Sequence, residues 1–187
     1  MTYSPTEEYI RRHGLTDHHH HHAKDADVEQ SKQTGGMVAL YPRRADAELL
    51  VVDGGESLDE LHCTVIFLGE DVRDQDPTEL ISHLDEVSSN YTTIEATITS
   101  RTEFNHAGET PAAVYLVGGS DDLTPMFREM KSFIEGRYPD SDEQFDPWVP
   151  HITIGYGMDI HKLDYSGPVE FDRLCLRWPG HDQDWTL

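Results

Sequence analysis

A histidine and a threonine separated by one residue occur twice in this chain, each time within an apolar run. His62-Cys63-Thr64-Val65 lies in the first half and His151-Ile152-Thr153-Ile154 in the second. Successive side chains on a β-strand point to opposite faces, so His62 and Thr64 share one face while Cys63 and Val65 take the other; His151 and Thr153 are set against Ile152 and Ile154 in the same way. Each motif thus presents an imidazole and a hydroxyl over an apolar back. Brought side by side, two imidazoles and two neutral hydroxyl donors make a compact site for one phosphate. One histidine can remove a proton from an attacking group while the other protonates the leaving oxygen, because imidazole titrates near neutral pH. Such chemistry needs no metal and no cofactor. A single His-x-Thr-x is weak evidence, since a lone strand histidine is more often structural. Two copies in opposite halves, one of them led by Pro150, are a much sharper signal.

The elements that must carry these motifs follow from periodicity. Strands are predicted at 37–41, 61–68, 91–102, 112–117, 148–156 and 169–178. A short helical segment is predicted at 45–52, ended by Asp53-Gly54-Gly55. A helix over 77–87 starts at Asp76 as N-cap with Pro77 in its first position. A second amphipathic helix at 123–138 places Met126, Phe127, Met130, Phe133 and Ile134 on one face. Helices and strands mix without strict alternation and several strands are hairpin-linked. This predicts an α+β fold of mainly antiparallel sheet with helices on one side. The repeated motif, with one amphipathic helix in each half, suggests two related lobes.

The chain has 187 residues with a formal net charge of −22. Residues 1–35 are polar, hold the run His18 to His22 and lack a sustained apolar period, so a disordered tail is expected before a domain at 36–187. The run binds metals opportunistically and is not read as a metal site. The acidity argues against a basic surface that wraps duplex DNA. No apolar stretch is long enough to span a bilayer, and 1–14 lacks the apolar core of a signal peptide, so a cytoplasmic protein with no membrane partner is expected. Cys63 and Cys175 are too few for a disulfide framework and have no zinc-ligand spacing, which leaves buried free thiols.

The paired motifs resemble the signature of the 2H phosphoesterase superfamily, near its 2′-5′ RNA ligase-like branch. The likeness covers about 36–187 and extends to LHCTVIFLG, to Phe104 followed by PAAVYLVG, to FDPWVPHITIGYG and to the closing VEFDRLCLRWPG. It implies two pseudo-symmetric α+β lobes about a central cleft, with hydrolysis or formation of phosphodiesters. Its usual substrates would be 2′,3′-cyclic phosphates or 2′-5′ linkages, and some members cleave cyclic nucleotides or cyclic oligonucleotides. The residues carried over as catalytic are His62, Thr64, His151 and Thr153.

Around them, Tyr41, Phe104 and Trp148 lie near strand ends and are the candidates for stacking a base. Phe67 and Tyr156 share parity with the back-facing positions and are expected under the helices, and Tyr115 in the core. Arg101 is the favoured phosphate contact from a group that also holds Arg43, Arg44, Arg128, Lys131 and Arg137. His83, His106, His161 and His181 are expected on the surface. The reading is a monomeric, metal-independent phosphodiesterase acting on a small nucleotide or cyclic (oligo)nucleotide. The alternatives are a 2′-5′ ligase or phosphodiesterase acting on RNA ends, and a non-catalytic module that sequesters a nucleotide.

Overall fold

The computed structural model describes residues 34–105, 110–138, 141 and 147–187. Nearly all of the tail, the His run and His106 lie outside the described residues. The chain runs β1 (Gly36–Pro42), α1 (Arg44–Leu50), β2 (Cys63–Gly69), α2 (Thr78–Ser89), β3 (Ile94–Phe104), β4 (Ala112–Gly118), α3 (Leu123–Ile134), β5 (His151–Tyr156), β6 (Gly167–Arg177) and β7 (Gln183–Thr186). Short 3-10 turns at Leu58–Glu60 and Ile160–Lys162 complete it.

The strands make one sheet in the order β2-β1-β6-β3-β4-β5, with every pairing antiparallel. The long β6 joins two lobes. Gly167 to Phe171 pair with β3, whereas Arg173 to Leu176 pair with β7 on the same edge. β1 lies along the other edge, from Phe171 to Arg177. The predicted α+β fold with helices on one side is the fold observed. β7 is an addition to the strands that periodicity predicts: Gln183-Asp184-Trp185-Thr186 is short and three of its four residues are polar, so neither periodicity nor apolar content marks it.

Among the described residues, three helices pack on one face of the sheet. Ala47 and Leu50 of α1, Leu80, Leu84 and Val87 of α2, and Met126, Phe127, Met130 and Ile134 of α3 share one core with Leu40, Cys63, Tyr115, Ile152, Phe171 and Leu174 of the strands. Burial of this kind contributes about 25 cal/mol per Å² of apolar surface, so the helix stripes rather than helix propensity hold the layer together. α2 starts one residue later than predicted, at Thr78 with Pro77 in the cap position, and Asp76 tethers its first residue. Asp76 Oδ1 accepts from the Thr78 backbone N–H at 3.0 Å and from the Thr78 hydroxyl at 2.6 Å. α3 ends earlier than its apolar pattern suggests, because Gly136 turns the chain into the left-handed region at φ 76°. His83, expected on the surface, instead stacks flat on Phe133 at 3.9 Å, joining α2 to α3. No helix among the described residues is long and apolar enough to cross a membrane.

Both motif strands carry a β-bulge at the same place. In β2, Ala39 faces Thr64 and Val38 faces Ile66, so Val65 is the extra residue. In β5, Val114 faces Thr153 and Ala113 faces Gly155, so Ile154 is the extra residue. Each is the fourth residue of its motif. A bulge inverts the alternation beyond it, and this corrects the expected orientation of two aromatics. Phe67 pairs with Met37 on the face of Thr64, and Tyr156 packs with Phe104, Ala112 and Val114 on the face of Thr153, away from the helices.

The second bulge also joins the lobes. Ile154 O accepts from Glu56 N at 2.7 Å, which brings the Gly54-Gly55 turn against β5. A Cβ on Gly55 would lie 2.4 Å from Ile154 O, whereas one on Gly54 would meet nothing within 4 Å. Gly55→Ala should therefore destabilise the protein by about 2 kcal/mol by forcing the turn off β5. Gly54→Ala should cost only the left-handed backbone penalty of about 1 kcal/mol. Urea denaturation of both variants checks the order; an equal loss would show that the contact is not tight.

Candidate functional site

The face of the sheet turned away from these helices carries the motif residues. His62 immediately precedes β2 and His151 opens β5. These strands stand at opposite ends of the strand order, yet the sheet is bent enough to make them neighbours. The backbone N–H of His151 reaches the Cys63 thiol, and the two motif imidazoles are near enough for His62 to disfavour a charge on His151.

Each imidazole is oriented in the same way. His62 Nδ1–H donates to Glu60 O at 2.7 Å, and His151 Nδ1–H donates to Val149 O at 2.8 Å. A carbonyl only accepts, so Nδ1 must hold the proton, and Nε2 is the basic nitrogen of the neutral ring. An aromatic ring braces each histidine as well. Tyr41 lies 5.5 Å from His62, and His151 meets Phe104 edge-on at 4.8 Å. Pro150 supports the second motif by offering its carbonyl to Val117 N at 3.1 Å, which continues the ladder up to His151.

The threonines differ in their settings. Thr64 is nearly buried, and its hydroxyl donates to Met37 Sδ at 3.7 Å. Thr153 is half-buried and shares a hydrogen bond with the Tyr156 hydroxyl, which the Ile154 bulge has turned to this side. Burial pushes the Tyr156 phenol well above its usual range, so it stays protonated. Phe67 is the counterpart of Tyr156 after the first motif and has no hydroxyl.

Electrostatics separate the histidines. His151 is only 8% exposed. Desolvation lowers its pKa from 6.5 to about 4, its bond to Val149 works the other way, and His62 adds to the lowering. His151 is therefore neutral at pH 7 and can accept a proton at Nε2. Both cysteines are buried and free, and burial pushes each thiol up to about 12.

Of the proposed substrate contacts, Tyr41 and Phe104 stand beside the motif histidines. The other two do not join them. Arg101 pairs with Tyr115 on the helix-covered face, where it donates to Leu163 O at 2.6 Å and contacts His161 Nδ1 at 3.1 Å. Trp148 stacks on Phe127 of α3 at 4.9 Å and packs against the helix-side core. Two cations absent from the sequence reading do lie on the motif face. Arg173 pairs with Tyr41, and Arg177 pairs with Met37. Their signal was the alternation of Arg173, Cys175 and Arg177 with the apolar Leu174 and Leu176.

An antiparallel α+β sheet with two motif strands meeting on the face away from the helices defines a two-lobed phosphoesterase fold. A model of the 2′-5′ RNA ligase superfamily matches residues 44–181, which include both motifs, and the chain belongs to that family of 2H phosphoesterases. Its class of activity is phosphoester or RNA-ligase chemistry. The fold is similar to TT0787 of Thermus thermophilus, with a TM-score of 0.56, 18% identity, and coverage of 82% of this chain and 94% of that one. It is also similar to Usb1 of Kluyveromyces marxianus, with a TM-score of 0.51, 12% identity, and coverage of 83% and 99%. A search of curated proteins finds no sequence match.

The depressed His151 pKa has a consequence for stability. The unfolded chain binds a proton at this residue near pH 6.5 while the folded chain resists until about pH 4. The contribution is complete above pH 6.5 and is lost as pH falls through that window. The wild type should lose stability relative to His151→Gln between pH 6.5 and 4, with the difference flat on either side. Chemical denaturation at pH 7.5 and 4.5 measures it; a gap that does not change with pH contradicts a buried, neutral His151.

Proposed function

We propose that the chain is a metal-independent phosphodiesterase that opens a small nucleotide phosphodiester, either a 2′,3′-cyclic phosphate, a cyclic nucleotide or a cyclic oligonucleotide. The observation that carries this reading is the pair of imidazoles on one face, each with Nδ1 tied to a carbonyl two residues upstream. That arrangement leaves proton transfer to Nε2 of each ring.

His151 acts as the base. Its low pKa supports a neutral ring at pH 7, which takes a proton from water as the water oxygen bonds to phosphorus. His62, in its protonated form, gives a proton to the ring oxygen as the P–O bond to it breaks. Thr64 and Thr153 donate to the non-bridging oxygens, where negative charge grows in the transition state. The Tyr156 hydroxyl holds Thr153 in position. Tyr41 and Phe104 fix the imidazole planes and, being buried, do not stack a base, whereas Arg101 and Trp148 lie on the other face. The unit that does this is 36–187, acting as a monomer in the cytoplasm, with 1–35 as an accessory tail.

His62→Ala and His151→Ala should each lower kcat on a nucleoside 2′,3′-cyclic phosphate by about 10² to 10⁴. The double variant should be little worse than either, because the two act on one proton-transfer sequence. EDTA should leave the rate unchanged. Full activity in either single variant contradicts the assignment, and loss with EDTA points to metal chemistry. Bound cyclic nucleotide recovered intact by mass spectrometry after long incubation would instead identify a sequestering module.

A further inference from the structure

The motif face of the first lobe is organised in rows that cross the sheet. His62 precedes Cys63, which pairs with Leu40, so His62 stands beside Tyr41, and Tyr41 pairs with Arg173. In the next row Thr64 pairs with Ala39, Ala39 with Cys175, and Cys175 with Asp184. In the third, Phe67 pairs with Met37, and Met37 with Arg177. The side chains of Arg173 and Arg177 converge over the ring between them. Their guanidinium carbons lie 5.2 and 4.6 Å from the centre of Tyr41, the ring that also touches His62.

The two arginines are held differently. Arg177 is fixed: its Nε donates to the Tyr41 hydroxyl at 3.2 Å and its Nη1 to Asp184 at 2.6 Å. Arg173 reaches only Asp172 at 3.6 Å and Asp184 at 4.0 Å, both longer than a hydrogen bond. No hydrogen bond among the described residues holds it, and both carboxylates stay at ion-pair distance. Among the other described arginines, Arg43 is hydrogen-bonded to Asp46 and Arg73 to Asp71, and Arg101 faces the helix side.

We propose that Arg173 and Arg177, arched over Tyr41, form a second phosphate subsite on the motif face. It lies two strands from the His62–Thr64 pair, about 10 Å away. Resting on the phosphodiesterase reading, this narrows the substrate to one with a further phosphate beside the scissile one, as in an oligonucleotide or cyclic oligonucleotide. A mononucleoside cyclic phosphate would leave the subsite empty. Arg177 provides the fixed wall and Arg173 the arm that closes on the phosphate oxygens. Two guanidinium groups match a phosphate better than two ammonium groups would, because their planar donors bond to paired oxygens.

The test is calorimetric binding of uridine 3′-phosphate and of the two-phosphate dinucleotide UpUp to the full chain, for the wild type, for Arg173→Gln, and for Arg173→Gln with Arg177→Gln. Removing charge-assisted hydrogen bonds should weaken UpUp by about tenfold or more. Uridine 3′-phosphate should stay within twofold, and Arg173→Lys should recover only part of the loss. Unchanged UpUp affinity, or an equal loss for both ligands, overturns the subsite. Binding needs no turnover. A chain that opens no cyclic phosphate but shows this pattern would lose the phosphodiesterase reading and keep the subsite; one that turns over but lacks the pattern would do the reverse.

Discussion

The backbone bond from Glu56 N–H to the carbonyl of Ile154, at 2.7 Å, closes the distance between two strands that the topology sets at opposite ends of a sheet. Antiparallel pairing alone would leave His62 and His151 on strands that never meet. The bulge at Ile154 removes that residue from the ladder with β4, and its carbonyl takes a donor from the other lobe. An unpaired carbonyl near the core would be costly, so the same bond both satisfies the bulge and fixes the lobe spacing. Gly55 is needed there because any side chain would strike the accepting oxygen.

The bulges have a second effect. Each follows the Thr of its motif, so each turns the aromatic five residues after the His onto the motif face. One motif gains the Tyr156 hydroxyl as a partner for its threonine; the other gains the plain ring of Phe67. The imidazoles share a common tether at Nδ1 but differ in burial, and burial sets the pKa of His151. A pseudo-symmetric frame thus supports an asymmetric site. In the proposed mechanism the depressed pKa gives the base role to His151 and leaves the acid role to His62.

Much of this was legible in the sequence. The doubled His-x-Thr-x marked the two strands that the fold brings together, the period-two runs marked six strands, and Asp76-Pro77 marked the start of α2. The orientation of Phe67 and Tyr156 was not legible. Val65-Ile66 and Ile154-Gly155 read as ordinary continuation of an apolar strand, and nothing local in them signals an extra residue. Trp148 looked like a loop aromatic, but its partner, Phe127, is on a helix distant in sequence. Arg101 and Arg173 are equally basic on paper. Only the register, which sets one against Tyr115 and the other against Tyr41, tells which faces the motif. Composition misleads as well: a net charge of −22 describes the whole surface and is silent on two arginines gathered over one ring.

The central claim is that both motif histidines act on one phosphate. The most direct measurement is an NMR titration of the His62 and His151 imidazole resonances, with and without uridine 3′-phosphate. Without ligand, His151 should stay neutral until about pH 4. Saturating ligand should raise the pKa of both rings together, since a phosphate dianion held between them stabilises each imidazolium. A shift confined to one histidine, or none in either, would contradict a shared site.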